Sequence, residues 1–194
     1  MIRLCSASES RALILKNASL EFIQSPLTFD EEQIVASCAK NFVYQATMGK
    51  YQEALKTFDY NEIPLLVADT VVTAHNQILR KARCKDEARN ILMSQSGSTT
   101  SIITCMIYRS SKLELIDLSA TDYIFDDFDR DDLEAYLDSR EWQGKAGGCM
   151  VEGFCRSYIK EVKGYESCAM GLSVEILQSY LWKNDIKFIT QYHK

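Results

Sequence analysis

The sequence predicts an α/β fold with a mixed central sheet flanked by helices, on three observations. Leu65-Leu66-Val67-Ala68 is a short apolar run directly after Pro64, the pattern of a strand buried on both faces. Ile2, Leu4 and Cys5 lead into the hydroxyl-rich Ser6-Ala7-Ser8-Glu9-Ser10-Arg11 and then Ala12-Leu13-Ile14-Leu15, which reads as strand, turn and helix. Thr99 to Tyr108, rich in Thr and Ile, and Leu113 to Phe125 flank the turn Ser110-Ser111-Lys112 and read as paired strands.

The elements follow in order. Ser8 is the expected N-cap of the first helix, because its oxygen can accept from a first-turn amide. Asn17 ends that helix, and Glu21 to Gln24 form a second strand. Residues 32 to about 58 read as one long helix, with Ile34, Val35, Cys38, Phe42, Val43, Ala46 and Tyr51 on its apolar face. His75-Asn76-Gln77 turns the strand that starts at Leu65, and Ile78-Leu79 return. A helix is expected over Asp86–Gln95, ending at Gly97, and another after Asp129, with Leu133, Tyr136 and Leu137 inward. Trp142 to Gly148 breaks regular structure with three glycines, which suit tight turns or a close backbone approach. A late strand covers Tyr158 to Val162, a loop Gly164 to Ser173, and a final helix Val174 to Trp182. Residues 184–194 read as a peripheral tail.

Composition narrows the function. A chain of 194 residues, 46% apolar and 25% charged, suits one globular domain or two small lobes. A net charge of −5 with no basic stripe argues against nucleic-acid polymers as partners. No apolar stretch approaches the roughly 20 residues that span a bilayer, and no signal peptide is expected. Seven cysteines without CxxC spacing, and two histidines, make a structural zinc site a poor fit. The cysteines are expected to be reduced core residues of a cytoplasmic protein.

Several residues have the chemistry of a site. Asp69 interrupts the apolar strand, and a carboxylate between buried residues is costly unless it is paired. A strand that simply ends there, with the acid in solvent, is the alternative. The serines and Arg11 beside free helical amides could cradle a phosphate, or only cap the helix. Asp30-Glu31-Glu32 could bind a metal, or only decorate a helix start. Arg80-Lys81-Ala82-Arg83 lies about ten residues after Asp69. A strand-turn-strand arrangement would bring Lys81 beside Asp69 and lower the carboxyl pKa.

In order and spacing these segments resemble the Maf family of nucleoside triphosphate pyrophosphatases, over roughly residues 3–182. The family's Ser-x-Ser-Pro-Arg-Arg loop matches Ser6 to Arg11, and its Asp-Glu pair matches Asp30-Glu31. Its Ala-x-x-Lys-Ala motif matches Ala46 to Lys50, with Tyr51 for the last alanine. Its Ala-Asp-Thr is intact as Ala68-Asp69-Thr70, and its Lys-Ala-Gly as Lys145-Ala146-Gly147. Its Leu-Gly-Lys-Pro appears as Leu79-Arg80-Lys81-Ala82, and its Gly-Leu-Pro as Gly171-Leu172-Ser173.

The resemblance implies two lobes with a cleft between them, within a single domain over residues 1–183. It implies hydrolysis of nucleoside triphosphates to monophosphate and pyrophosphate with Mg²⁺ or Mn²⁺. By that likeness Asp69 is the proton acceptor. Arg11, Lys50 and Lys81 are the catalytic cations, and Ser8, Ser10, Thr70, Glu152 and Lys145 bind substrate. Glu31 and Asp69 hold the metal. A homodimer is also implied.

Three departures bear on this. Glu9 and Ser10 replace the loop's proline and first arginine, which removes a cation and adds an acid. Lys81 has lost its glycine and proline neighbours. Glu152 resembles the branch that prefers 7-methyl-GTP, whereas Thr70 resembles the dTTP and UTP branch, so the base is left unassigned. The rival reading is a nucleotide-binding regulator of cell-division arrest with weak or no catalysis.

Overall fold

The computed structural model describes residues 1–149 and 153–183. Among them are seven strands: β1 (Ile2–Leu4), β2 (Phe22–Gln24), β3 (Leu65–Ala74), β4 (Gln77–Leu79), β5 (Thr99–Arg109), β6 (Glu114–Phe125) and β7 (Ile159–Lys163). They form one mixed sheet in the order β2-β1-β3-β5-β6-β7, with β4 paired to β3. β1 runs parallel to β2 and β3, while β4 is antiparallel to β3 and β7 to β6. The helices are α1 (Glu9–Asn17), α2 (Ala39–Thr57), α3 (Lys85–Met93), α4 (Arg130–Ser139), α5 (Glu166–Ala169) and α6 (Val174–Lys183). The α/β class with a mixed sheet is therefore as expected.

The chain divides into two compact units. The first comprises Met1–Thr70, Thr104–Ser119 and the described residues from Tyr165 on; the second comprises Val71–Ile103 and Ala120–Gly164.

In the first unit, β3 separates two apolar clusters. Leu66 and Ala68 pack with Leu4, Leu15, Met106 and Leu177; Leu65 and Val67 pack with Cys5, Tyr51, Ala54 and Ile107. Alternate residues thus enter opposite layers, as the period of a strand requires. This is the doubly buried strand expected from Leu65 to Ala68. It does not stop at Asp69 but continues to Ala74.

In the second unit, β3 and β4 form a hairpin with Val72 opposite Leu79 and Ala74 opposite Gln77. His75 and Asn76 both have positive φ, 51° and 61°, which suits a two-residue turn between right-twisted strands. Asp129 caps α4 by accepting from the Asp131 and Asp132 amides at 2.8 and 3.1 Å. Arg89 of α3 grips Glu134 of α4 through two 2.8 Å bonds. Phe128, Tyr136, Phe154 and Tyr158 form an aromatic cluster beside them.

Three expectations are corrected. The helix expected from residue 32 begins only at Ala39; Glu31–Gln33 is a separate 3-10 turn. Cys38 is extended, and Val35 is 90% exposed, so the apolar count before Ala39 does not form a buried helix face. The cysteines are not all reduced: Cys149 and Cys155 are bonded to each other, their Cα atoms 6.4 Å apart, within bridging range. Cys5, Cys105 and Cys168 are buried free thiols, as expected, and Cys38 and Cys84 are exposed ones. The loop expected over Gly164–Ser173 contains the short helix α5. Glu152 and the tail 184–194 lie outside the described residues.

Candidate active site

Asp69 sits on β3 with 8% of its surface exposed. Strand alternation sends it toward the layer of Tyr51 and Ala54, which belong to α2. The buried face of α2 includes Ala46, Thr47 and Tyr51, and Lys50 lies at the edge of that face. Lys50 Nζ donates to Asp69 Oδ1 at 2.7 Å and lies 2.5 Å from Glu31 Oε1. Glu31 lies in the separate 3-10 turn before α2, not on α2 itself. Gly49 provides the room: a Cβ there would fall 2.1 Å from the Phe29 ring, two residues before Glu31.

Burial raises the Asp69 carboxyl above the ordinary 3.8, Lys50 and Arg11 pull it down, and Glu31 pushes it up. The sequence suggested the opposite shift, a carboxyl lowered by Lys81. Desolvation outweighs the cations here, and the lysine that bonds Asp69 is Lys50. A carboxylate made more basic in this way is suited to take a proton near neutrality.

Thr70 follows the other alternation, on the side of Leu66 and Ala68. Its Oγ1 accepts from Arg11 Nη2 at 3.1 Å and lies 2.9 Å from Thr104 Oγ1. Arg11 also donates through Nε to Gly171 O at 2.8 Å and through Nη1 to Ser6 Oγ at 3.0 Å. Among the described residues the guanidinium thus has neutral acceptors only and no ion pair. Burial weakens its hold on charge, while Asp69 and Glu31 strengthen it. Ser8 caps α1 as expected, its Oγ accepting from the Arg11 amide at 3.3 Å. Ser10 is exposed.

Lys81 and Lys145 belong to the second unit. A backbone bridge joins Lys81 to Ala146, the neighbour of Lys145. Gly144, Gly147 and Gly148 have positive φ. At Gly147 a Cβ would fall 2.9 Å from Val72 Cγ1, and Gln95 Nε2 donates to its carbonyl at 2.7 Å. This explains the glycine density. Among the described residues neither lysine makes an ion pair.

The structure thus brings together Asp69, Lys50, Glu31, Arg11, Thr70 and Ser8 within the first unit. Ser6, Thr104 and Gly171 were missed as participants. Ser6 lay in the serine loop and could have been noticed. Thr104 is one threonine in a Thr-rich strand and carries no local signal. Gly171 has φ +106°, and a Cβ there would meet Arg11 Nε at 3.2 Å and Thr70 Oγ1 at 3.3 Å. Gly171→Ala is therefore expected to cost about 1–3 kcal/mol in stability through backbone strain. It should also lower pyrophosphatase activity by displacing Arg11; melting curves and rates for the purified variant check both.

Among the described residues no three His, Cys, Asp or Glu side chains converge as a metal cage. Glu31 and Asp69 do converge, on Lys50. Two carboxylates suit Mg²⁺ or Mn²⁺ when phosphate oxygens and water complete the shell, so the donor set fits a substrate-borne cation.

Fold and site together describe a polar cluster on an α/β sheet, with a buried carboxylate, Asp69, between cations and made more basic than usual by burial. The sequence profile of the Maf-like protein family matches residues 1–184. A nucleoside triphosphate pyrophosphatase from a Nitratiruptor species is 53% identical over 179 residues, 91% of this chain and 96% of the relative. One from Helicobacter pylori is 40% identical over 170 residues, 88% and 89% of the two chains. One from Campylobacter jejuni subsp. jejuni is 33% identical over 183 residues, 93% of this chain and 100% of the relative. The chain belongs to the Maf family.

Proposed function

We propose that the protein hydrolyses nucleoside triphosphates to the monophosphate and pyrophosphate, with Asp69 as the proton acceptor for the attacking water. The observation that carries this reading is the Asp69 carboxylate: buried, made more basic by burial, and held in place by Lys50. Family membership and the names of the relatives support the reaction class.

The α-phosphorus is screened by negative oxygens, so the nucleophile must be generated in place and the phosphate charge neutralised. Asp69 removes the water proton. Arg11, Lys50 and Lys81 offset charge on the phosphates, with Lys145, Ser8 and the N-terminal amides of α1 adding donors. Glu31 and Asp69 would hold Mg²⁺ or Mn²⁺, which supplies charge neutralisation at the phosphate oxygens when bound. Ser10, Thr70 and Glu152 are the residues for base choice, and the base stays unassigned. Among the described residues no helix is long and apolar enough to cross a membrane. A homodimer, suggested by the family resemblance, and a cytoplasmic location, expected from the cysteine content, complete the reading.

The test is product analysis over canonical and modified triphosphates with Mg²⁺ or Mn²⁺. Monophosphate and pyrophosphate should appear in equal amounts and stop on addition of EDTA. Release of inorganic phosphate instead would contradict the reaction. Binding without turnover on any substrate would favour the division regulator.

A further inference from the structure

We propose that Thr104 is a positioning residue for catalysis, closing a hydrogen-bond circuit that fixes the Arg11 guanidinium. The inference rests on the phosphate-neutralising role proposed for Arg11.

Thr104 lies on β5 and is fully buried, outside every motif match quoted above. Its Oγ1 donates to the Cys168 carbonyl at 2.7 Å, and a carbonyl can only accept. The single hydroxyl proton of Thr104 is thereby used. In the 2.9 Å contact between the two threonines, Thr70 must therefore be the donor. Thr70 in turn accepts from Arg11 Nη2.

The path continues back to its start. The Gly171 amide donates to the same Cys168 carbonyl at 3.0 Å, and the Gly171 carbonyl accepts from Arg11 Nε. Arg11, Thr70, Thr104, Cys168 and Gly171 thus form a closed ring, with Ser6 holding Nη1 from outside it. Every hydroxyl proton in the ring has one direction.

Two consequences follow. Three of the five guanidinium N–H groups are committed, which leaves one on Nη1 and one on Nη2 for an anionic oxygen. Thr70 has no proton left to donate, so while it orients Arg11 it can meet a nucleotide base only as an acceptor. Lysine lacks the planar fork that this ring grips.

The experiment measures melting temperature and steady-state pyrophosphate release, with Mg²⁺, for wild type, Thr104→Val, Thr104→Ser, Arg11→Ala and Arg11→Ala/Thr104→Val. Valine keeps the shape and removes the hydroxyl; serine keeps the hydroxyl. Thr104→Val should lower kcat/KM about tenfold, the scale of one hydrogen bond to a charged network. Thr104→Ser should stay within about twofold of wild type. In the Arg11→Ala background the valine substitution should change the rate by less than about twofold, because the group it positions is gone. Wild-type activity in Thr104→Val, or an equal loss with and without Arg11, would overturn the proposal. Should Thr104→Val not fold, Thr70→Val breaks the same ring one link nearer the guanidinium and is judged by the same criteria. Arg11→Ala at the wild-type rate would instead overturn the role of Arg11 itself, and this inference with it.

Discussion

Asp69→Asn is expected to lower pyrophosphate release by roughly 100- to 10,000-fold, the usual contribution of a positioned general base. The amide occupies the same volume but has no lone pair basic enough to take a proton from water. The same variant is expected to melt at a higher temperature than wild type at pH 7. The folded carboxyl is raised above its ordinary 3.8, chiefly by burial. The folded state then keeps the proton to higher pH than the unfolded chain does. Stability falls as pH rises between the two values, and the loss is complete above the folded one. Asparagine carries no charge to bury, so the difference between variant and wild type should close as pH falls toward about 4. Wild-type turnover, or a variant that melts well below wild type at pH 7, would refute this account of Asp69.

Lys50→Met is expected to have the second-largest effect, a rate loss of roughly 100-fold or more at neutral pH. Lys50 Nζ is the ammonium shared by Asp69 and Glu31, at 2.7 and 2.5 Å. Without it, burial and Glu31 act on Asp69 with only Arg11 opposing them. The Asp69 carboxyl then rises further, because the strongest influence lowering it is gone. The acidic limb of the kcat/KM profile should move to higher pH, and the melting temperature should fall because two carboxylates lose their common cation. Adding Asp69→Asn should recover part of that melting temperature. An unmoved acidic limb would show that Lys50 does not set the basicity of the Asp69 carboxylate.

The fold was readable where local signals agree with the tertiary outcome. The doubly buried run at Leu65 to Ala68, the Ser8 and Asp129 caps and the His75-Asn76 turn each follow from side-chain chemistry over a few residues. The start of α2 was not readable. Ile34 and Val35 continue the apolar count, and only the folded chain reveals that Val35 is left exposed. The Cys149–Cys155 pairing carries no spacing signal, since two cysteines six residues apart fit no recognised pattern.

The site shows the same division. Asp69 stands out because a carboxylate in an apolar strand demands a partner, and strand alternation gives its face. That Lys50 supplies that partner depends on the register of α2 against β3. The shift at Asp69 was misread because burial is a tertiary quantity. Thr104 was silent, since its importance lies in the direction of one proton, which only the assembled ring defines.

The central claim is attack of water on the α-phosphorus of a nucleoside triphosphate, with Asp69 as the base. Turnover in ¹⁸O-labelled water, followed by mass analysis of both products, tests it most directly. One labelled oxygen is expected in the nucleoside monophosphate and none in the pyrophosphate, with the labelled product nearly lost in Asp69→Asn. Label in the pyrophosphate, or label incorporated by Asp69→Asn at the wild-type rate, would contradict it.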